Sequence, residues 1–430
     1  MTTIALFILL FVFMFMGMPV AIALGMSSLL TILLFAQDSL ASLALKLFET
    51  SEHYTLLAIP FFILGGAFMT TGGVAKRMIR FANACVGHMR GGLAMASVMA
   101  CMLFAAVSGS SPATVVAVGS IVIAGMVRAG YPQGFAAGVI CNAGTLGILI
   151  PPSIVMVVYG AATETSVGKL FMAGVLPGIL LGLLLMVVIY VRARMTNLPK
   201  QPRATFSELL VSGRDSLWGL LLIVIILGGI YGGVFTPTEA SVVAVFYAVI
   251  VGMLIYREIS VADLVGVLRR SVISSTVILM IIACAGMFSF LITRANVPAM
   301  LGEWLVEALK TPALFLLGVN AALFVIGMFI ETSASIVVLA PILTPIAVHF
   351  GIDPVHFGTI MVVNLALGMI TPPFGVNLFA ACMVAKIPLQ AIFKHLVPFV
   401  AVVLGCLMII TYFAPLSLLL RDLVYRSAGG

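Results

Sequence analysis

Two proline pairs, Pro151-Pro152 and Pro372-Pro373, interrupt apolar stretches of this 430-residue chain. Proline has no backbone N–H, and its ring clashes with the preceding turn. A helical N–H bonds the carbonyl four residues back. The first pair therefore frees the carbonyls of Gly147 and Ile148, and the second those of Gly368 and Met369. In hydrocarbon such carbonyls need another partner, and unwound backbone of this kind coordinates Na⁺ in membrane carriers. Asn142, Thr145, Asn364 and Thr371 stand beside the breaks and add side-chain oxygens. These eight residues are the candidate ligands of a small hard cation, with Na⁺ the expected coupling ion.

Two polar clusters supply a second kind of chemistry. Ser108-Gly109-Ser110-Ser111-Pro112 and Glu331-Thr332-Ser333-Ala334-Ser335 each sit at the centre of an apolar stretch, at about 92–128 and 312–348. A helix, a polar turn and a returning helix describe a re-entrant hairpin. Ser111 before Pro112 reads as an N-cap with proline at the first helical position. Thr332 or Ser333 reads as the cap of the second returning helix. Each tip would then aim a helix N-terminus, with its partial positive charge and free N–H groups, at an anion. Ser108, Ser110, Ser111, Thr114, Thr332, Ser333 and Ser335 are the candidate substrate ligands, and a carboxylate is the substrate group they suit. Glu331 is an intramembrane acid with two readings, functional or helix-capping.

Other chemistry is missing from the sequence. It holds no Walker lysine loop, no HExxH and no GxSxG, and its five histidines have no ligand spacing. Six cysteines lie scattered, mostly in apolar runs, and read as small core residues. An enzyme is not expected. Glu239 has a local role, because Thr236-Pro237-Thr238-Glu239 fits a capping box.

The elements that must position these residues are membrane helices. Hydrophobic residues make up 63% of the chain and charged ones 8%, against about 25% charged in a soluble domain. Candidate spans run at about 4–35, 55–71, 135–165, 171–191, 216–235, 239–256, 271–293, 356–385 and 396–420, beside the two hairpins. The first is read as a retained helix and not as a cleaved signal. Stretches 72–90 and 294–310 are too charged to span and read as amphipathic interfacial helices. The net charge of +7 reflects cytoplasmic loops, and no nucleic acid is implied. With the loop of Arg192, Arg194, Lys200, Arg203 and Arg214 inside, 15 of the 21 Lys and Arg face the cytoplasm, as the positive-inside rule asks.

That topology opens the two hairpins to opposite sides and runs their neighbouring spans in opposite senses. The sequence repeats accordingly. Gly147, Pro151, Pro152 and Pro177 recur as Gly368, Pro372, Pro373 and Pro398, each 221 positions on, and Asn142 finds Asn364 at 222. The expected organisation is a first repeat over 1–195, a loop and connecting helix over 196–238, and an inverted second repeat over 239–430. The broken helices fall at about 135–165 and 356–385. Inverted repeats with interrupted helices point to a secondary transporter.

Five segments carry a resemblance. They are Ala58-Ile59-Pro60-Phe61-Phe62-Ile63-Leu64-Gly65-Gly66, the first hairpin tip through Thr114, Gly144 through Ser153, Phe235-Thr236-Pro237-Thr238-Glu239-Ala240, and Gly368 through Gly375. In order and spacing the chain resembles the large membrane subunit (DctM type) of tripartite ATP-independent periplasmic (TRAP) transporters. The resemblance implies an all-α polytopic membrane protein with an ion-transporter-like elevator architecture, Na⁺-coupled, in a bacterial inner membrane. It further implies a periplasmic substrate-binding protein and a small membrane subunit as partners, the latter expected as a separate chain. Organic anions are the implied substrates, C4-dicarboxylates foremost, with sialic acid and other organic acids as alternatives. A stand-alone Na⁺/dicarboxylate symporter is the alternative of similar architecture.

Overall fold

The computed structural model describes residues 2–35 and 39–427, and every regular element in them is helical. The first predicted span is instead two helices, α1 (Thr2–Phe15) and α2 (Val20–Phe35), packed against one another. Gly17 takes φ +81°, and Pro19 follows it. A left-handed glycine ends the first helix, and two positions on, a residue without an N–H starts the next. Next come α3 (Leu40–Ser51), a single 3₁₀ turn, α4 (Ala58–Thr71) and α5 (Val74–Val86).

The first hairpin is α6 (Gly92–Ser108) and α7 (Ser111–Arg128), whose arms pack together. The first broken helix follows as α8 (Gln133–Ala143), α9 (Leu146–Leu149) and α10 (Ile154–Thr163), bent by 42° at the proline pair. Beyond it lie α11 (Val167–Met195) and the connecting helix α12 (Phe206–Tyr231). The latter starts at Phe206 and not near 216. Thr205 and Glu208 form a reciprocal capping box there, which stabilises a polar first turn that hydropathy alone overlooks.

The second half holds α13 (Pro237–Ile250), α14 (Val261–Arg294) and α15 (Val297–Leu309). Its hairpin is α16 (Pro312–Gly327) and α17 (Thr332–His349), and its broken helix is α18 (Pro354–Met369) and α19 (Val376–Ala385). Then come α20 (Gln390–Tyr412) and α21 (Pro415–Ser427), so the predicted span 396–420 is also two helices. Pro415 stands at the first position of α21, where a missing N–H is harmless. Thr236 and Glu239 form the predicted capping box. All six cysteines are free, and five are buried.

Among the described residues eight helices are long and apolar enough to cross a membrane. The two predicted interfacial stretches appear as α5 and α15. In α5, Val74, Ala75, Met78 and Ala82 are buried. On its other face Arg77 pairs with Glu258 at 2.7 Å and lies 3.7 Å over the Tyr256 ring. The two halves interlock crosswise. Arm α7 of the first hairpin packs on α19 of the second broken helix, and arm α17 of the second hairpin packs on α10 of the first. The helices that follow cross over too, α11 onto α18 and α20 onto α8. The hairpins differ in one respect. The arms of the second barely touch; α16 packs chiefly on α18, whereas α17 packs on α10, α14 and α18.

Candidate functional site

Each hairpin tip is seated on the broken helix of its own half. Gly109, at φ +60°, closes α6 in a conformation that suits glycine. Its carbonyl accepts from Ile154 N at 3.1 Å, at the start of α10. In the second half Phe374 N donates to Met328 O at 3.2 Å, again from break to tip. The packing leaves no slack: a Cβ on Gly147 would stand 2.6 Å from Ser110 O and 2.7 Å from Thr114 Oγ1. Both Pro151-Pro152 and Pro372-Pro373 are cis.

The tips are capped differently from the sequence reading. Ser110, not Ser111, is the N-cap of α7, with extended backbone and no side-chain cap bond. Ser111 is the first helical residue. Its Oγ donates to Gly144 O at 2.8 Å and accepts from Asn377 Nδ2 at 2.7 Å. Ser108 Oγ and Thr114 Oγ1 share a hydrogen bond of 2.8 Å, and Thr114 Oγ1 donates to Ser110 O at 2.9 Å. In the second tip neither Thr332 nor Ser333 is the cap. Glu331 is, its carboxylate accepting from Ala334 N at 3.0 Å and Ser333 Oγ at 3.1 Å. A carboxylate at a helix N-terminus satisfies orphan N–H groups and meets the positive end of the dipole. Thr332 and Ser335 lie buried behind it with hydroxyls that have no partner.

Of the four carbonyls expected to be free, two are. Gly147 O and Met369 O receive no hydrogen bond among the described residues. Ile148 O instead accepts from Ser153 Oγ at 2.6 Å, and Gly368 O accepts from Thr371 N at 3.0 Å. The proline argument removes only the i+4 donor, and a side chain or a tighter turn takes its place. Ser153 caps α10 as well, receiving Met156 N at 3.3 Å.

Three of the four side chains at the breaks are wholly buried. Asn142, Thr145 and Asn364 have no exposed surface, while Thr371 is half-buried. Thr145 Oγ1 donates to Asn142 O at 2.6 Å and Thr371 Oγ1 to Leu367 O at 2.8 Å, each keeping its acceptor lone pairs. Asn142 Nδ2 donates to Gly138 O at 2.8 Å, and Asn364 Nδ2 to Asn320 O and Oδ1 at 2.9 and 2.7 Å. In both cases Oδ1 is buried and receives nothing. A buried acceptor without a donor costs about 1–3 kcal/mol and calls for an explanation. Coordination of a small cation supplies one, and these neutral oxygens fit it. Among the described residues no group of three His, Cys, Asp or Glu could hold a metal ion, so the donor set suits a monovalent cation better than a transition metal.

Two residues here escape the sequence reading. Asn377, on α19, donates to Ser111 Oγ and, at 3.2 Å, to Cys141 O; it thereby ties the second broken helix to the first hairpin tip. Its own Oδ1 is another buried acceptor without a donor. Asn320, on α16, holds Asn364. The 221-residue repeat places Met156 and Met99 opposite them, so symmetry could not find them. An asparagine inside an apolar helix was the available signal.

With this geometry in view, comparison with known proteins decides the family. The sequence profile described as "Tripartite ATP-independent periplasmic transporter, DctM component" matches residues 7–416. The chain belongs to this family. It is 60% identical to the C4-dicarboxylate TRAP transporter large permease protein DctM of Pseudomonas aeruginosa, over 98% of this chain and 99% of that protein. It is 40% identical to the isethionate TRAP transporter permease protein DctMQ of Oleidesulfovibrio alaskensis, over 91% of this chain and 62% of that longer protein. In fold it is similar to the Alcanivorax borkumensis YdaH transporter, with a TM-score of 0.66 at 15% identity, covering 89% of this chain and 90% of the other. DctM chains are transporter permeases, and this one is a multi-pass membrane protein and not an enzyme.

Proposed function

We propose that this DctM chain is the permease of a Na⁺-coupled importer of C4-dicarboxylates, lying in a bacterial inner membrane. The 60% identity to a C4-dicarboxylate permease over almost the full chain supports the substrate class. The observation that carries the coupling is the pair of buried, undonated Oδ1 atoms of Asn142 and Asn364, each beside a broken helix with one free carbonyl. Cation sites there lower the cost of bringing an anion to the N-terminus of α7, where the Ser110 side chain makes no cap bond. They do the same at the second tip, where the buried hydroxyls of Thr332 and Ser335 have no partner, while those of Ser111 and Ser333 already donate to Gly144 O and Glu331. The charges offset one another, so ion and substrate bind better together than apart. A half-site in each repeat, 1–195 and 239–430 joined by 196–238, accounts for the doubled architecture.

Each hairpin is bonded to its broken helix, and the two pairs are interlocked crosswise. Such a body moves as one unit. An elevator stroke against α4, α12, α13 and α14 therefore fits this geometry better than hinging within the site. Delivery by a periplasmic binding protein and completion by a small membrane subunit follow from family membership; in the isethionate relative the name DctMQ denotes one permease protein longer than this chain.

Uptake of radiolabelled succinate into proteoliposomes tests the proposal. The vesicles hold the chain with its small subunit, under inward Na⁺ or inward K⁺, with and without the cognate binding protein. Uptake requiring both Na⁺ and the binding protein is the expected result. Na⁺-driven uptake without the binding protein would make it a stand-alone symporter. Equal uptake in Na⁺ and K⁺ would refute the coupling.

A further inference from the structure

We propose that Asn320 and Thr411 are positioning residues that hold the Asn364 carboxamide with its oxygen turned toward the cation, an inference that rests on the cation site proposed above. One atom in this cluster has a fixed role. Asn364 Nδ2 stands 2.9 Å from the backbone carbonyl oxygen of Asn320. A backbone carbonyl accepts and never donates, so the Asn364 atom facing it is the nitrogen. The same nitrogen faces the Asn320 side chain at 2.7 Å, so that atom is the Asn320 oxygen. The Asn320 nitrogen then points to the Thr411 hydroxyl, 3.0 Å away, which accepts.

Three residues on three helices, α16, α18 and α20, thus form one directional relay. All are buried: Asn364 is 0% exposed, Thr411 2% and Asn320 3%. Rotating the Asn364 amide by half a turn would set its oxygen against two acceptors at once. The relay therefore leaves Oδ1 one direction, away from Asn320, where it meets no donor. An outer group that fixes the orientation of a metal ligand is part of the site's affinity. Thr411 is in turn fixed from the far side, its carbonyl facing His356 Nε2 at 3.3 Å.

The first half has no such relay. Asn142 Nδ2 bonds Gly138 O, one turn back on its own helix, at 2.8 Å. The residue 221 positions before Asn320 is Met99. Of the two asparagines, Asn364 and not Asn142 has its amide held by a neighbouring helix among the described residues, and that hold reaches α20 through Thr411.

Na⁺-dependent thermal stabilisation of the full chain, copurified with its small subunit, reads cation binding without transport or substrate. Choline replaces Na⁺ at constant ionic strength. We expect Thr411→Val and Asn320→Ala to raise the half-stabilising Na⁺ concentration about tenfold, the lower end of the loss when a ligand's outer partner is removed. Thr411→Ser, which keeps the acceptor, should restore the wild-type value; this pair carries the test if Asn320→Ala does not fold. A lower melting temperature at every Na⁺ concentration with an unmoved half-point, while Asn364→Ala moves it, would overturn the positioning role and leave the cation site standing. A half-point unmoved by Asn364→Ala as well, or a wild type that responds to Na⁺ no more than to choline, would remove the cation site and this inference with it.

Discussion

Replacing Gly368 with alanine adds one methyl group where two backbones touch. A Cβ there would stand 2.4 Å from the carbonyl carbon of Gly327 and 2.5 Å from its oxygen, at the end of α16. Ordinary van der Waals contact begins at 3.4 Å, so α16 and α18 must part by about 1 Å. Close-packed backbone has no rotamer with which to yield. Asn364 lies one turn earlier on α18, and its bonds to Asn320 on α16 measure 2.7 and 2.9 Å. A separation of about 1 Å takes both beyond hydrogen-bonding range. Overpacking costs about 1–3 kcal/mol, and each lost hydrogen bond costs about 1 kcal/mol more. We expect Gly368→Ala to lower the melting temperature and to raise half-saturating Na⁺ for uptake in proteoliposomes about tenfold, as Asn364 loses its anchor. Gly405→Ala is the matched control. It lies inside α20, where an added methyl would find nothing within 4 Å, and glycine-to-alanine in an unobstructed helix stabilises by about 0.5–1 kcal/mol. Gly368→Ala with wild-type melting and wild-type Na⁺ dependence would refute the reasoning.

Further consequences are open to direct measurement. Asn377→Ala removes the donor to Ser111 Oγ and Cys141 O and should destabilise by about 1–3 kcal/mol, seen as a lower melting temperature; an unchanged one would deny that the halves are tied there. Glu331→Ala should cost about 1 kcal/mol as a lost helix cap, whereas Glu331→Gln keeps an acceptor and should retain both stability and uptake. Loss of uptake in a stable Glu331→Gln protein would assign the charge a transport role instead. Asp353, which caps α18, lies in the turn before that helix. Burial pushes its carboxyl up, but the Arg421 side chain and the N–H groups of Val355 and His356 outweigh this and hold it below the usual range. The resulting stability is present above the ordinary aspartate pKa and is lost as pH falls through the lowered one. Melting curves of wild type and Asp353→Asn should therefore converge on acidification, and parallel curves would exclude this linkage.

The sequence displays most of the fold because the strongest signals in it are local. Proline pairs, a serine-rich turn between apolar arms and a Thr-x-x-Glu cap act within a few residues, and the matching helices are where those signals put them. The readings that fail are those where a partner arrives from far along the chain or where one local donor replaces another. Span 4–35 reads as continuous because apolarity does not register a left-handed Gly17. Ile148 and Gly368 read as free because Ser153 and the tightened turn at Thr371 lie outside the i+4 rule. Asn320 and Asn377 become meaningful only once α16 lies on α18 and α19 on α7. The Ser110/Ser111 exchange at the cap is a shift of a single residue, within the ordinary spread of helix ends.

The crosswise interlock bears on how the chain is made. Ser111 meets Asn377 across 266 residues. At bacterial rates of synthesis, on the order of 5–20 residues per second, roughly 13–50 s separate their emergence. Through that interval the first hairpin is inserted with its tip hydroxyl and the Cys141 carbonyl lacking the amide that will satisfy them. Polar groups at that depth need another partner until then. Until α19 is made, the first half of this permease therefore carries two acceptors whose amide partner lies in the last quarter of the chain.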